Sequence, residues 1–166
     1  VETGDDTRKF APPYMKDIDG KDTNQSAYFS GTNRNKRSLT LDLSSEEGQS
    51  IARELISKSD ILVENFKVGT LKKYNLDYES LKDQFPNLIY CSITGFGQTG
   101  PYANRPAYDA LVQAMGGVMS LTGEPDGEPM KVGVSIADLM AGMYATVSIL
   151  AALRHRDKTH QGQHLD

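Results

Sequence analysis

Two short apolar runs, Ile61-Leu62-Val63 and Leu88 to Ile93, constrain the fold of this chain more than any other feature. Each has the length of a strand, and neither alternates with polar residues, so both faces of each strand call for burial. A helix-sized segment, Tyr78 to Phe85, lies between them and is closed by Pro86. Upstream, Ser38-Leu39-Thr40-Leu41-Asp42-Leu43 alternates polar and apolar residues and predicts a half-buried strand. Ser44 then stands three residues before Glu47, the spacing of a capping box, and Ile51, Ala52, Leu55 and Ile56 recur on one helical face. Strands spaced by helices predict an α/β fold, an open parallel sheet with crossover helices. Residues 3–32, punctuated by Pro12, Pro13, Gly20 and Gly31, predict mostly irregular chain.

Helical periodicity returns from Asp109 to about Met119 and again from Ser135 to Arg156 through Met143, Val147 and Leu150. The second helix carries small or apolar residues on more than one face, which suits packing between layers or subunits. With 166 residues the chain suffices for one domain and is marginal for two. Its net charge of −4 leaves no footprint for nucleic acid or an anionic membrane. The longest apolar stretch, Leu139 to Leu153, is shorter than a membrane span and is interrupted by Thr146 and Ser148. The single cysteine, Cys91, excludes an internal disulfide and sits in an apolar run, as a buried strand residue does. No targeting segment is visible, so a cytoplasmic location is the default expectation, with mitochondria or peroxisomes as alternatives. The chain opens at Val1 without a methionine and stops at Gln163-His164-Leu165-Asp166, where a strand begins. It therefore reads as a piece of a longer protein.

The residues with chemical potential cluster late. Tyr108, Asp109, Gln113 and Ala114 open one helix, a turn-rich Thr122 to Gly127 follows, and Asp138 then stands alone among Ile136, Ala137, Leu139 and Met140. A lone acid at the mouth of an apolar helix suits a nucleophile or proton carrier; the plain alternative is a helix cap. Gly95-Phe96-Gly97-Gln98-Thr99-Gly100 fits the dinucleotide fingerprint, but Pro101 and Pro106 prevent the helix that must begin within it. The loop remains a place where backbone can approach a ligand. Asn65 and Phe66 follow a strand, at the edge where open α/β sheets bind ligands, and read equally as a capping Asn and a core Phe. Arg34, Lys36 and Arg37 form either a solvated turn or a phosphate contact. His155, His160 and His164 lack the partners of a metal site, and no nucleophile elbow is present.

Five segments in order resemble the class III CoA-transferases, the CaiB/BaiF family. They are Gly4-Asp5-Asp6-Thr7-Arg8, Asn33 to Ser38, Asp60 to Phe66, Gly95 to Pro101, and Tyr108-Asp109 through Asp138 to Gly162-Gln163. The resemblance implies a Rossmann-like large domain, a small domain absent here, and a homodimer of two subunits threaded through each other. This chain would be most of one half of the large domain. Asp138 would be the catalytic nucleophile. CoA would contact Leu41, Asp42, Leu43, Ser44, Asn65, Phe66, Lys67, Lys73, Arg105, Pro106, Ala107, Tyr108 and Asp109. Basic residues found in the formyl-CoA transferases fall at Ser44 and Pro106 here, with Arg105 adjacent. The implied reaction moves CoA from an acyl-CoA to a free carboxylic acid, with CoA as substrate, no tightly bound cofactor and no metal. The related α-methylacyl-CoA racemases need a His-Asp pair where this chain has Tyr108-Asp109, which favours transfer over racemisation. A non-catalytic CoA-binding piece is the further alternative.

Overall fold

The computed structural model describes residues 4–166, which divide into two units that part between Leu41 and Asp42. Val1 to Thr3, where the sequence opens without methionine, lie outside the described residues. In the first unit a 3-10 turn over Asp6–Lys9 precedes an antiparallel hairpin of β1 (Tyr14–Lys16) and β2 (Asp22–Ser26), followed by helix α1 (Ala27–Thr32). The Asp17 carboxylate makes the hairpin turn, accepting from the backbone N–H groups of Asp19 and Lys21 at 3.0 and 2.9 Å. Ser26 is fully buried; its hydroxyl accepts from the Phe29 N–H at 2.9 Å to cap α1 and donates to the Thr7 carbonyl at 2.7 Å. The expectation of mostly irregular chain at 3–32 is corrected here. A three-residue strand, Tyr14-Met15-Lys16, paired to an all-polar one lacks the apolar alternation by which strands are read.

The second unit is built on one strand. Helix α2 (Glu46–Ser57) leads to β3 (Ile61–Glu64), and a 3-10 turn (Leu71–Tyr74) and the short helix α3 (Tyr78–Leu81) lead to β4 (Ile89–Ser92). Helix α4 (Asp109–Met115), a second 3-10 turn (Val118–Leu121) and the 24-residue α5 (Ile136–Thr159) then precede β5 (His164–Leu165). The sheet is parallel with order β3-β4-β5, Ile61 pairing with Ile89 and Tyr90 with His164. All four residues of the central strand are buried, as the continuous apolar run requires. Tyr90 joins Ile56, Leu71, Leu76, Leu81 and Leu88 in a core beneath α2 and α3. Its phenol donates to the Leu76 carbonyl at 3.0 Å, so its one polar atom is satisfied inside that core. Cys91 is buried, and burial pushes its thiol up, as an inert strand residue should be.

Four expectations shift. Ser38 to Leu43 is extended chain with no strand partner among the described residues, and Leu39 is exposed. Alternation marks a segment that suits a sheet, but a strand exists only when another supplies its hydrogen bonds. The cap of α2 is Ser45 rather than Ser44, its hydroxyl accepting from the Gly48 N–H at 3.0 Å. Ser44 instead closes on the Asp42 carboxylate through its N–H and hydroxyl, at 2.9 and 2.6 Å. Helix α3 ends at Leu81, one turn before Phe85, because the chain tightens into a turn ahead of Pro86. Finally, α5 ends at Thr159, three residues beyond the expected end at Arg156. By length and composition alone it is long and apolar enough to cross a membrane, as a helix packed between protein layers also is.

Candidate functional site

Every strand of the parallel sheet delivers its carboxyl end to one edge, and there the chain turns outward. After β3 come Asn65, Phe66 and Lys67; after β4 come Ile93, Thr94 and the loop Gly95 to Gly100. The Asn65 amide donates to the Ile93 carbonyl at 2.6 Å, tying the two exits together. Its Oδ1 makes no hydrogen bond among the described residues. Phe66 is exposed, so the alternative of a core Phe does not hold. No helix starts within Gly95 to Gly100, which is a string of turns with Gly97 and Gly100 at positive φ. That is the arrangement Pro101 and Pro106 foretell, and it excludes a helix-borne pyrophosphate site at this loop. A Cβ added at Gly95 would stand 2.1 Å from the Ala107 Cβ, so the loop closes on the 105–108 segment only because Gly95 has no side chain.

Two adjoining clefts open along this edge. One, of about 530 Å³, is lined by Asn65, Thr94, Gly95, Ala107, Tyr108 and Asp138, with Ala137, Ala141 and Gly142 of α5 as its wall. The other, of about 310 Å³, is lined by Asn65, Phe66, Lys67, Arg105, Pro106, Ala107 and Tyr108 among others. Tyr108 projects from the rim with 83% of its surface exposed. Arg105 lies over the Tyr102 ring at 4.3 Å. Asn65, the glycine loop, Tyr108 and Asp138 therefore share one end of the sheet. Asp42, Leu43 and Ser44 form the turn before α2, and Lys73 lies on the 3-10 turn after β3; none of these four lines either cleft. Leu41 closes the first unit, where Arg34, Lys36 and Arg37 are exposed.

Asp138 is not a helix cap. The N-cap of α5 is Ser135, whose side chain makes no capping bond, and Asp138 is the third residue of the helix. The capping oxygen comes from elsewhere: Asp109 Oδ1 accepts from the Ala137 N–H at 2.9 Å. Asp109 Oδ2 accepts from the Gln113 side-chain amide at 2.6 Å. Gln113 is 1% exposed, and its Oε1 accepts from the Val132 N–H at 2.8 Å, which fastens the segment entering α5. Asp109, expected as a ligand contact, thus spends both carboxylate oxygens inside the protein. Gln113 was visible in the sequence only as part of a helical motif. A buried glutamine one turn after an aspartate was the available signal.

With the Ala137 N–H served by Asp109, the Asp138 carboxylate stands in the cleft. Burial first, and then the neighbouring Asp109 charge, push it above the ordinary carboxylate range. A helix N-terminus by itself would hold it low. Among the described residues no group of three or more His, Cys, Asp or Glu side chains is placed to hold a metal ion.

The family model of CoA-transferase family III matches residues 1–166, the whole of the sequence. The chain belongs to that family. It is 53% identical over 165 residues to the succinate–glutarate CoA-transferase of Agrobacterium fabrum, covering 99% of this chain and 41% of that protein. It is 46% identical over 164 residues to the acetyl-CoA:oxalate CoA-transferase of Acetobacter aceti, covering 98% and 40%. A crystal structure of a CaiB/BaiF family protein from Brucella suis superposes with a TM-score of 0.89 at 53% identity, over 98% of this chain and 42% of that one. The chain thus spans about two-fifths of the length of these relatives. The resemblance in the five ordered segments is borne out, and so is the α/β fold with its parallel sheet. As a family III member the chain carries a sheet edge whose cleft draws Asn65, Gly95, Tyr108 and Asp138 from three of those segments.

Proposed function

We propose that the whole protein is an acyl-CoA:carboxylate CoA-transferase in which Asp138 is the covalent nucleophile. One observation carries this reading: a carboxylate free of hydrogen-bond partners among the described residues opens into a cleft of about 530 Å³ that also holds Asn65, Tyr108 and the glycine loop. Membership of the family and the relatives' printed activities support it.

The chemistry follows from what a carboxylate can do. An Asp138 oxygen attacks the thioester carbonyl of the donor acyl-CoA, the C–S bond breaks, and a mixed anhydride and CoA thiolate result. The thiolate attacks the Asp138 carbonyl carbon, expelling the donor acid as its carboxylate and leaving an aspartyl-CoA thioester. The acceptor carboxylate attacks that thioester, releasing thiolate and forming a second anhydride. Thiolate attack on the acceptor's carbonyl then yields the new acyl-CoA and frees the Asp138 carboxylate. Backbone N–H groups of the glycine loop are the candidate donors to the tetrahedral oxyanions. Phe66, Lys67 and Arg105 line the adjoining cleft, where a stacking face and two cations suit a phosphate-bearing nucleotide. Tyr108 occupies the position where a two-base racemase needs a histidine, so proton shuttling lacks its second base.

The test is direct. In the whole protein, a panel of acyl-CoA donors and free carboxylates read by mass should show CoA exchange. Donor alone should leave an adduct on the peptide containing Asp138 that hydroxylamine traps. Asp138→Asn should keep the fold and lose transfer by at least ~10³-fold, since an amide cannot form the anhydride. Near-normal transfer by this variant would sink the mechanism.

A further inference from the structure

Asp138 owes its place to a chain of three contacts outside the cleft. Gln113 is buried on α4, a position where an unpaired amide is costly, and it is fully engaged. Its oxygen holds the Val132 backbone, and its amide nitrogen holds the Asp109 carboxylate, with the Val134 carbonyl also within 3.4 Å. Asp109 in turn holds the first turn of α5 at Ala137, the residue next to Asp138. One glutamine thus fixes both the segment leading into α5 and the group that caps it.

We propose that Gln113 and Asp109 are the positioning residues of the reaction, a two-part latch that sets where the Asp138 carboxylate stands in the cleft. The inference rests on Asp138 being the nucleophile. Neither residue touches substrate in this role. The Asp109 oxygens are occupied within the protein, and Gln113 is buried. The latch works through geometry, because misplacing a reacting group by about 1 Å costs on the order of 10²-fold in rate. It also works through charge. After burial, the neighbouring Asp109 charge is what opposes ionisation of Asp138. Asp109 from α4 acts on it by charge, the Tyr108 phenol lines the same cleft, and Lys67 and Arg105 line the adjoining one.

Three variants of the whole protein test the latch: Asp109→Asn, Gln113→Leu and the exchange Asp109→Asn with Gln113→Glu. In the exchange, the amide introduced at position 109 can still accept from the Ala137 N–H. It can also donate to the carboxylate introduced at position 113, which still accepts from the Val132 N–H. The expected result is that each single variant loses about 10- to 100-fold in kcat, with KM for acyl-CoA within about threefold. Asp109→Asn should also move the acid limb of the pH–rate profile to lower pH, because the charge that raises Asp138 is gone. The exchange should recover at least about tenfold of the lost kcat. A purely structural pair would lower the melting temperature and leave kcat and the acid limb unmoved in the folded fraction, and that result overturns the proposal. Asp138→Asn is run alongside. If it alone is inactive while both latch variants turn over normally, the latch is wrong and the nucleophile stands; if it stays active, the nucleophile itself is wrong.

Discussion

At the scale of single residues, Asp138 shows how two electrostatic effects are ranked. It sits in the first turn of a helix, where an anion is favoured, yet burial and Asp109 raise it. The consequence for stability has a definite sign. Between the ordinary carboxylate value and the raised folded one, the folded chain holds a proton that the unfolded chain has released. Stability therefore falls as pH rises through that window, and the deficit persists above it. Asp138→Asn should be at least as stable as the parent at pH ~7, with the difference shrinking below pH ~4. Thermal melts at the two pH values check this; a clear loss of stability at neutral pH would point to a capping role instead. The sequence made Asp138 legible because its neighbours are apolar. It hid the bond by which Asp109 holds the neighbouring Ala137, since a hydrogen bond across 28 positions leaves no local periodicity. Asn65 was half legible: its place after a strand was readable, its bond to Ile93 was not.

At the scale of elements, the parallel sheet was readable because strands buried on both faces leave unbroken apolar runs, and β3 and β4 fall where those runs predict. What failed failed for one reason. Ser38 to Leu43 has the pattern of a strand without a partner, and β1 and β2 have partners without the pattern. Pairing is a property of two segments. The clefts depend on a contact between elements at Gly95 and Ala107, two loop residues of minimal size. Gly95→Ala would place a methyl 2.1 Å from the Ala107 Cβ, so the two loops must part. We expect the variant to fold and to raise KM for acyl-CoA at least about fivefold, or about 1 kcal/mol. Gly95→Ala combined with Ala107→Gly should recover part of the loss. An unchanged KM in the single variant would show that the contact does not shape the cleft.

At the scale of the molecule, α5 is the conspicuous element. Met143, Tyr144, Val147 and Leu150 each leave 60% or more of their surface exposed. Burying one such side chain gains about 1.5–3 kcal/mol, so this face carries a strong drive to be covered. The expectation that this chain exposes apolar surface on the helix is met, on one of its faces. We propose that the whole protein covers it, in part as a homodimer. Light scattering at micromolar concentration should return a dimer, and a clean monomer would defeat this. The far end of the same helix holds another anchor. The Arg156 guanidinium reaches the Asp60 carboxylate at 3.0 Å and the carbonyls of Asp60 and Asn87 at 3.3 and 3.5 Å, where β3 and β4 begin. Mechanically, α5 is a beam clamped at both ends of the sheet. Arg156 lies about five turns beyond Asp138, roughly 27 Å of helix, so a tilt of roughly 2° at one clamp swings the other by about 1 Å. Arg156→Met should therefore depress kcat several-fold from across the molecule while leaving KM nearly unchanged, a lever arm acting on chemistry it never meets.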